Sequence, residues 1–263
     1  MSVNGEVTVS KINMIMQAWP KNTIATQAWF SSLGISRMLA HWYLKSKWIQ
    51  RFGSGAYFRY GDEVGWQGGL YALQSQLGLD IHVGGRSSME LQGFAHYVQL
   101  SSRRQVLLVS ESHKRLPKWF VDHEWRADVR HTRMLLFNRN LQGSIADYNC
   151  GNFSIKIACL ERAILEEMHR VRTNDDFEET IRLMDGLNIA RPKVVQNLLE
   201  NCNSMKAKRL FLWSSEAAGH AWANNLDISL IDLGKGKRHL YTGGRFNKKY
   251  LITVPKAKLM PDV

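Results

Sequence analysis

The hydrophobic residues near the start of the chain recur with the spacing of a helix. From Lys11 to Trp19 they occupy positions i, i+3, i+4 and i+7, which predicts a short helix that Pro20 terminates. Asn22 or Thr23 is predicted to cap a second helix, because both side chains can accept a hydrogen bond from a backbone amide. Two short helices are therefore expected before residue 34.

A third helix is predicted after the turn at Gly34, with Ser36 as its cap and a span from Arg37 to about Ser46. The side expected to face inward carries Leu39, Trp42 and Tyr43. The opposite side carries Arg37, Ala40, His41 and Lys45. The helix is therefore expected to present a basic side to solvent.

The hydrophobic period then changes to that of a strand. Residues 48–52 and 56–60 alternate and are joined by Gly53, Ser54 and Gly55, which predicts a hairpin. The order helix, helix, helix, hairpin is typical of a winged helix-turn-helix, whose third helix fits the major groove of DNA. The hairpin of such a module reaches the adjacent backbone or minor groove. A helical module for protein contact is the alternative interpretation.

The remainder of the chain mixes both periods. Helices are predicted at 66–77, 87–97, 160–171, 177–187, from 191 onwards and at 205–218. Strands are predicted at 80–83, 105–109, 133–137, 226–233, 238–242 and 250–254. The predicted fold class is α+β, with an N-terminal winged helix-turn-helix at residues 1–66 and a larger mixed α/β domain at residues 67–263.

Charge strengthens the prediction of a nucleic-acid partner. The chain holds 35 Lys+Arg against 23 Asp+Glu, a net charge of +12. The surplus lies at the two ends, since residues 1–62 carry +5, residues 206–263 carry +7 and the middle is neutral. Such a balance favours an anionic partner, most often nucleic acid and sometimes a membrane surface. A basic but otherwise ordinary protein is the alternative.

The third helix and the hairpin supply the candidate DNA contacts. Arg37 could bond guanine O6 and N7 together, and a phosphate contact is the alternative. The hairpin side chains are predicted to touch phosphate, which positions a protein without reading sequence. Tyr57 is predicted to pack within the module. The predicted contacts are Ser36, Arg37, Ala40, His41, Lys45, Arg51, Ser54 and Arg59.

A second basic zone lies near the C-terminal end, on predicted turns between strands. An additional DNA contact, an RNA contact or a merely solvated face would each explain it. Its members are Lys235, Lys237, Arg238, Arg245, Lys248 and Lys249.

Two glycine-rich segments are candidate phosphate-binding loops. Residues 84–88, GGRSS, are not followed by the closely spaced carboxylate pair with which a nucleotidyltransferase holds metal. Residues 234–238, GKGKR, lack the first glycine and the final Ser/Thr of a P-loop, which predicts a basic turn instead.

Metal sites are not indicated by spacing. His113, His123 and His131 are too far apart for a short ligand motif. Asp227 and Asp232 flank a predicted apolar strand, so a two-metal nuclease stays open beside simple solvation of the strand ends. We therefore expect no catalytic residues, no metal and no cofactor.

The three cysteines, Cys150, Cys159 and Cys202, show no CxxC spacing, which indicates neither a disulfide framework nor a zinc site. The N-terminal sequence does not have the pattern of a signal peptide, and no run of about 20 apolar residues occurs. A cytoplasmic location is the expectation.

The order and spacing of several segments resemble those of the AbiEi antitoxins of type IV toxin–antitoxin systems, over nearly the whole chain. The segments are GISRMLAHWYLKSKWIQRFGSGAYFRYGD, GGLYALQSQLGLDIHVGGRSSMELQGFAHY, LPKWF, CLERAILE, LMDGL, KRLFLW, GHAW, IDLGKGKR and GGRFNKKYLITVP. At Lys47 the family often has glycine, so the turn before the hairpin is expected to be tighter or looser here.

The resemblance implies a winged-helix domain that binds inverted repeats upstream of its own operon and represses it. It also implies a C-terminal domain that counteracts a nucleotidyltransferase toxin encoded next door, without a stable protein complex. Such systems guard against phage infection or stabilise mobile elements. Two alternatives stay open: a nucleic-acid-processing enzyme targeted by a winged helix, and a transcription factor whose C-terminal domain senses a ligand.

Overall fold

The computed structural model describes residues 11–94, 104–137 and 141–256, and it forms two compact units. The first unit comprises Met1–Ile81, Ser112–Asp128 and Asp147–Ile155. The second unit comprises His82–Glu111, Val129–Ala146 and Lys156–Val263.

The first unit begins with the predicted winged helix. Its elements are α1 (Lys11–Ala18), β1 (Ala25–Thr26), α2 (Gln27–Ser32), α3 (Arg37–Lys45), β2 (Ile49–Gly53) and β3 (Ala56–Arg59). The three strands form an antiparallel sheet in the order β1-β3-β2. The prediction of three helices followed by a hairpin is confirmed. The added strand β1 gives the hairpin a third partner.

The cap of α2 was predicted wrongly. Thr26 caps the helix by accepting a hydrogen bond from Trp29 N at 3.1 Å. Thr23 is fully buried and donates its hydroxyl to Pro20 O instead, while Asn22 has a left-handed φ of 61°. Residues 25 and 26 are extended because they pair with β3, which delays the start of the helix.

The cap of α3 was predicted correctly, but its inward face only in part. Ser36 accepts a hydrogen bond from Leu39 N at 3.2 Å, and Tyr43 is buried. Trp42 is 56% exposed, whereas Ala40 is 0% exposed. Positions 40 and 43 are three residues apart and therefore share the buried face.

Lys47 joins α3 to the wing with a left-handed φ of 56°. This conformation favours glycine, because glycine has no Cβ to clash. The turn therefore holds a lysine in a conformation that glycine would adopt with less strain.

The core of the first unit continues beyond residue 66. Helix α4 (Trp66–Tyr71) runs into a π-helical turn at Ala72–Gln76, and a short helix α6 spans Lys118–Val121. Phe52 of β2 stacks on Trp125 at 5.5 Å and meets Trp119 edge-on at 6.2 Å. A Cβ at Gly53 would lie 2.7 Å from Trp119 Cβ, so only glycine permits this approach. The hairpin therefore packs on residues distant in sequence, and the domain boundary between residues 66 and 67 stays a prediction.

A five-stranded sheet, most of which belongs to the second unit, has the order β6-β5-β4-β8-β7. Its strands are β4 (Ile81–Val83), β5 (Gln105–Ser110), β6 (Asp128–Arg133), β7 (Ile145–Asn149) and β8 (Ser154–Ala158). Central strands β4 and β8 run parallel, with Val83 opposite Ile157. Strands β7 and β8 were not predicted.

Helices surround the main core of the second unit. They are α5 (Gly85–Leu91), α7 (Leu160–Arg170), α8 (Asn174–Asp185), α9 (Pro192–Asn201) and α10 (Met205–Ala218). The predictions for α7 to α10 are confirmed. Helix α5 ends at Leu91, because Gly93 takes φ 80° and Phe94 N returns to Met89 O. The last predicted residues of that helix, 95–97, lie outside the described residues.

Three strand predictions were wrong. Residues 134–136 follow β6 rather than forming a strand themselves. Residues 228–230 form a 3-10 turn, because Asp227 Oδ1 accepts from Ser229 N at 3.0 Å. Residues 238–242 contribute only a bridge from Arg238 to Ile252. The hairpin of this region is β9 (Arg245–Asn247) with β10 (Ile252–Val254).

Candidate nucleic-acid interface

The solvent face of α3 carries the cationic side chains that the sequence predicts. Arg37, His41 and Lys45 are exposed and follow one another at steps of four residues, so they form one row along the helix. None of them takes part in an ion pair within the part of the chain that the structure describes. Their charges therefore face solvent.

Two of the predicted DNA contacts on α3 have structural roles instead. Ala40 is fully buried in the core beside Tyr43, so the prediction that it faces a duplex was wrong. Its small side chain lets α3 approach the core closely. Ser36 is exposed, and its hydroxyl caps the helix. The basic row therefore starts at the first residue after the cap.

The wing places two predicted contacts outward. Arg51 on β2 and Ser54 in the turn are exposed. Tyr57 packs as predicted, since it stacks on Phe30 at 5.3 Å and its hydroxyl donates to Gln27 Oε1 at 3.2 Å.

Arg59 is turned toward α1 rather than to solvent. Its Nη2 donates to Met16 O at 2.7 Å, and its guanidinium lies 5.7 Å from the Trp19 ring centroid. Burial lowers the pKa of Arg59, and the charge of Asp62 opposes that change. In this position Arg59 holds β3 against α1. The outward orientation expected of a phosphate contact is not found.

Acidic residues are absent from this part of the sequence. Residues 7–61 hold no Asp or Glu, and Asp62 accepts a hydrogen bond from Asn22 N at 2.6 Å. The positive potential of α3 and the wing is therefore not cancelled by neighbours in sequence, and an anionic ligand of the size of a duplex would be attracted.

The GGRSS segment is not a phosphate cradle in this structure. Gly85 N donates to Glu166 Oε2 at 2.9 Å, and Arg86 N donates to Glu167 Oε1 at 2.8 Å. A Cβ at Gly84 would lie 2.4 Å from Glu166 Oε2. Two carboxylates of α7 thus occupy the amides that a phosphate would need, and the glycines serve the close packing of α5 on α7.

Glu166 also joins a buried charge network. It is 1% exposed, and its Oε1 lies 2.8 Å from His82 Nε2 and 2.9 Å from Arg162 Nε. Burial raises the pKa of Glu166, but His82 and Arg162 lower it by more, so the net shift is downward. Arg162 Nη2 reaches Glu111 Oε1 at 3.0 Å. These contacts bind α7 to the sheet.

The second basic zone is arranged around two buried cations. Arg209 is 1% exposed, and its guanidinium donates to Leu233 O at 2.7 Å, Gly236 O at 2.7 Å and Gly234 O at 3.0 Å. Lys208 is 2% exposed and donates to Asp232 O at 2.9 Å. The loop therefore turns its carbonyls inward, whereas a P-loop turns its amides toward phosphate.

All six predicted residues of the second basic zone are exposed on this loop and the following hairpin. Lys249 forms an ion pair with Glu216 at 2.8 Å, and Lys237 lies 5.2 Å from the Phe246 ring centroid. The remaining four residues of the zone are Lys235, Arg238, Arg245 and Lys248. The zone therefore stays cationic, but less so than its sequence suggests.

The metal hypothesis receives no support from the described residues, where no group of three or more ligand-type side chains occurs. His123 packs against Phe52 at 4.3 Å, and His131 Nε2 lies 2.8 Å from Ser110 Oγ. Asp232 Oδ1 accepts from Gly234 N at 2.8 Å, so it caps a turn instead of flanking a strand.

The second unit contains a polar cleft of about 520 Å³. Its carboxylates are largely committed: Glu90 and Glu179 pair with Arg86, and Glu167 pairs with Arg170 at 3.0 Å. The remaining basic lining residues are Arg130, Arg133, His169 and Arg172. Patterns in the sequence gave no signal for this cleft, because its lining comes from four separate segments of the chain.

A hydrophobic strip beside the basic row was also missed. Met38 and Trp42 on α3 are 82% and 56% exposed. The hydrophobic spacing assigned Trp42 to the core, and no sequence signal distinguished it from Tyr43.

Within the described ranges, no helix has the length and apolar character needed to cross a bilayer.

Comparison with known proteins agrees with this architecture. Residues 8–100 match a family model described as transcriptional regulator, AbiEi antitoxin N-terminal domain. Residues 103–255 match the model described as transcriptional regulator, AbiEi antitoxin, type IV TA system. The search of curated proteins found no match.

The fold is shared with a solved structure over most of both chains. The RV2827C protein from Mycobacterium tuberculosis is 13% identical, with a TM-score of 0.53 over 92% of this chain and 88% of that one. Together the two family models span residues 8–100 and 103–255. The chain therefore belongs to the AbiEi antitoxin family of transcriptional regulators from type IV toxin–antitoxin systems.

Proposed function

We propose that this protein binds operator DNA through α3 and the wing, represses its own operon, and counteracts a nucleotidyltransferase toxin encoded beside it. The observation that carries the DNA-binding part is the exposed row Arg37, His41 and Lys45, joined by Arg51 and set in a segment without acidic residues. Inverted repeats upstream of the operon are the proposed target.

The geometry of α3 suits a major groove. The groove is about 12 Å wide and accepts one helix. Arg37 lies in the first turn, the part of a recognition helix that meets base edges. There it reads guanine or contacts a phosphate, while Lys45 and Arg51 neutralise the backbone.

A direct binding experiment tests this part. We expect Arg37→Ala with Arg51→Ala to weaken binding to a duplex from upstream of the operon by about tenfold or more, since one bidentate base contact contributes about 1–3 kcal/mol. Fluorescence anisotropy at fixed salt gives the affinities. Lys193→Ala, at an exposed lysine on α9, is the control for the loss of a surface charge. Equal affinity of the double variant and the wild type would refute the assignment.

Antitoxicity is proposed for the second unit, without a stable complex between antitoxin and toxin. Family membership supports the antitoxin role, and the second basic zone is the surface proposed to act, through RNA contact. Because the hairpin shares a core with residues 119–125, the test uses the full chain.

In that test the antitoxin is expressed from an unrelated promoter beside the toxin, and growth is measured. Charge reversal at Lys235, Lys237 and Arg238 should lower protection while operator binding persists. Full protection by the folded variant would show that the zone is only solvated. Capture of the toxin on immobilised antitoxin would refute action without a complex.

The polar cleft favours a second candidate function, the sensing of a small anionic ligand. Its volume lies in the range of known ligand sites, and its lining has five arginines against four carboxylates. A thermal-shift experiment with nucleoside triphosphates and with inorganic phosphate tests this function. A stabilisation that Arg172→Ala abolishes would support it, and no shift with any of these anions would exclude it for them.

A further inference from the structure

Helix α3 carries two large apolar side chains that do not pack in the core. Met38 and Trp42 are 82% and 56% exposed, and they lie one turn apart on α3. Each directly follows a member of the basic row in sequence, Arg37 and His41. Successive helix positions are about 100° apart, so the apolar pair runs beside the basic row.

We propose that Met38 and Trp42 contact the 5-methyl groups of thymines in the major groove and so select the operator. This inference rests on the proposed DNA-binding function and adds a specificity to it. The floor of the major groove offers one apolar group, the thymine methyl, between the polar edges of the other bases.

The charges on the same face favour DNA as the occupant. A second copy of the chain, docked symmetrically on this face, would bring Arg37, His41 and Lys45 of both copies together, and residues 7–61 hold no acidic residue to offset them. A duplex instead offers phosphates to the basic row and base edges to the apolar pair. The arrangement thus matches both chemistries of a groove at once.

Trp42 is partly fixed in orientation. Its ring meets Tyr43 edge-on at 5.7 Å, and Tyr43 is 4% exposed. A ring held from one side and open on the other offers a preformed apolar surface, which loses less side-chain freedom on binding. Met38 has no such support and adapts to its neighbour because its chain is flexible.

The test removes single methyl groups from the DNA. A duplex from upstream of the operon is mapped by hydroxyl-radical footprinting, and each protected thymine is replaced in turn by deoxyuridine. Burial of one methyl contributes about fourfold in affinity, so the wild type should bind certain substituted duplexes about fourfold more weakly.

Variants assign those methyls to side chains. Met38→Ala and Trp42→Ala should each reduce the thymine-to-deoxyuridine affinity ratio to about one at its own positions, and Met38→Leu should retain it. Met14→Ala is the matched control, since Met14 is a 45% exposed methionine on α1. Met38→Gln serves as a second variant that keeps length and loses apolar character, and circular dichroism melting verifies folding.

Several outcomes would overturn the inference. Equal wild-type affinity for all thymine and deoxyuridine duplexes would reject the methyl contact while leaving DNA binding intact. A change of sedimentation behaviour in Met38→Ala with an unaltered affinity ratio would assign the strip to self-association. If the wild type bound no upstream duplex, the proposed function itself would fail.

Discussion

The two basic regions carry similar net charges in the sequence but are built differently. The face of α3 and the wing belongs to a segment of net +5, and its cations lie on regular elements and face solvent. The C-terminal segment carries +7, yet Lys208 and Arg209 are buried and bind backbone carbonyls. The net charge of the second region therefore overstates the charge that it exposes to solvent.

The difference shows what a lysine or arginine is used for. In the first region the fold rests on aromatic packing around Trp19, Phe30 and Tyr57, which leaves most cations free. In the second region a loop with little regular hydrogen bonding depends on a guanidinium for its shape. A charge can serve a ligand or hold a loop together, and burial distinguishes the two.

The largest effect is expected from the buried guanidinium. Arg209→Met keeps the stem but removes the donors, leaving the carbonyls of Leu233, Gly234 and Gly236 without them. We expect a loss of about 3–5 kcal/mol in the free energy of unfolding, measured by urea denaturation. Arg245→Ala, at an exposed arginine, should cost under about 0.5 kcal/mol. A loss below about 1 kcal/mol for Arg209→Met would mean that the loop holds its shape by other contacts.

Acid should weaken the second unit through its buried carboxylates. The folded-state pKa of Glu166 is lowered by His82 and Arg162 against burial, and that of Glu161 by its hydrogen bonds with Arg191, again against burial. A lowered folded pKa gives stability that is present above the ordinary value near 4.5 and lost as the pH falls through the folded pKa. Urea midpoints should therefore decrease below about pH 4.5. The decrease of the urea midpoint per pH unit should be smaller in Glu161→Gln, provided that this variant folds at neutral pH. An unchanged decrease would contradict the account.

A gain of stability is expected at the turn before the wing. Lys47 has φ 56°, where a side chain costs about 1–2 kcal/mol relative to glycine. Glycine loses more backbone entropy on folding, so Lys47→Gly should stabilise by about 1 kcal/mol at most. Thermal unfolding followed by circular dichroism would register it, and a destabilised variant would show that the lysine side chain supports the turn.

The smallest effect is expected at the surface ion pair. Lys249 and Glu216 are 55% and 56% exposed, and pairs of this kind contribute about 0–1 kcal/mol because solvent screens them. Lys249→Ala should cost under about 0.5 kcal/mol in urea denaturation. A loss above about 2 kcal/mol would place this pair among the structural charges beside Arg209.

Local rules in the sequence predicted the elements with strong periodicity or capping signals. Ser36 caps α3, and α7 to α10 begin and end close to where their apolar stripes do. Strand β7 was missed because its exposed and half-buried positions give no buried stripe. Strand β8 was missed although its residues alternate between exposed and buried positions. The apolar run at 226–233 gave a wrong strand prediction. Lys208 and Arg209 donate hydrogen bonds to the carbonyl oxygens at the end of that segment and shape it.

The sequence predicted which residues lie on α3 and the wing better than it predicted the directions of their side chains. Arg37, His41, Lys45 and Arg51 reach solvent as expected, because helix and strand periods fix their direction. Arg59 lies on the hairpin too, yet Trp19 and Met16 O draw it inward. Such a tertiary partner leaves no mark in local sequence, and neither does the exposure of Trp42.

The salt dependence of duplex binding tests most directly the claim that the first basic region, and not the second, holds DNA. If about six cations neutralise phosphates, log K should fall with log salt at a slope of roughly −5 for the wild type. Arg51→Ala with Lys45→Ala should make that slope less steep by about two, while Lys235→Ala, Lys237→Ala and Arg238→Ala together should leave it unchanged. A slope that becomes less steep only in the triple variant, or an affinity of the wild type that does not depend on salt, would contradict the account.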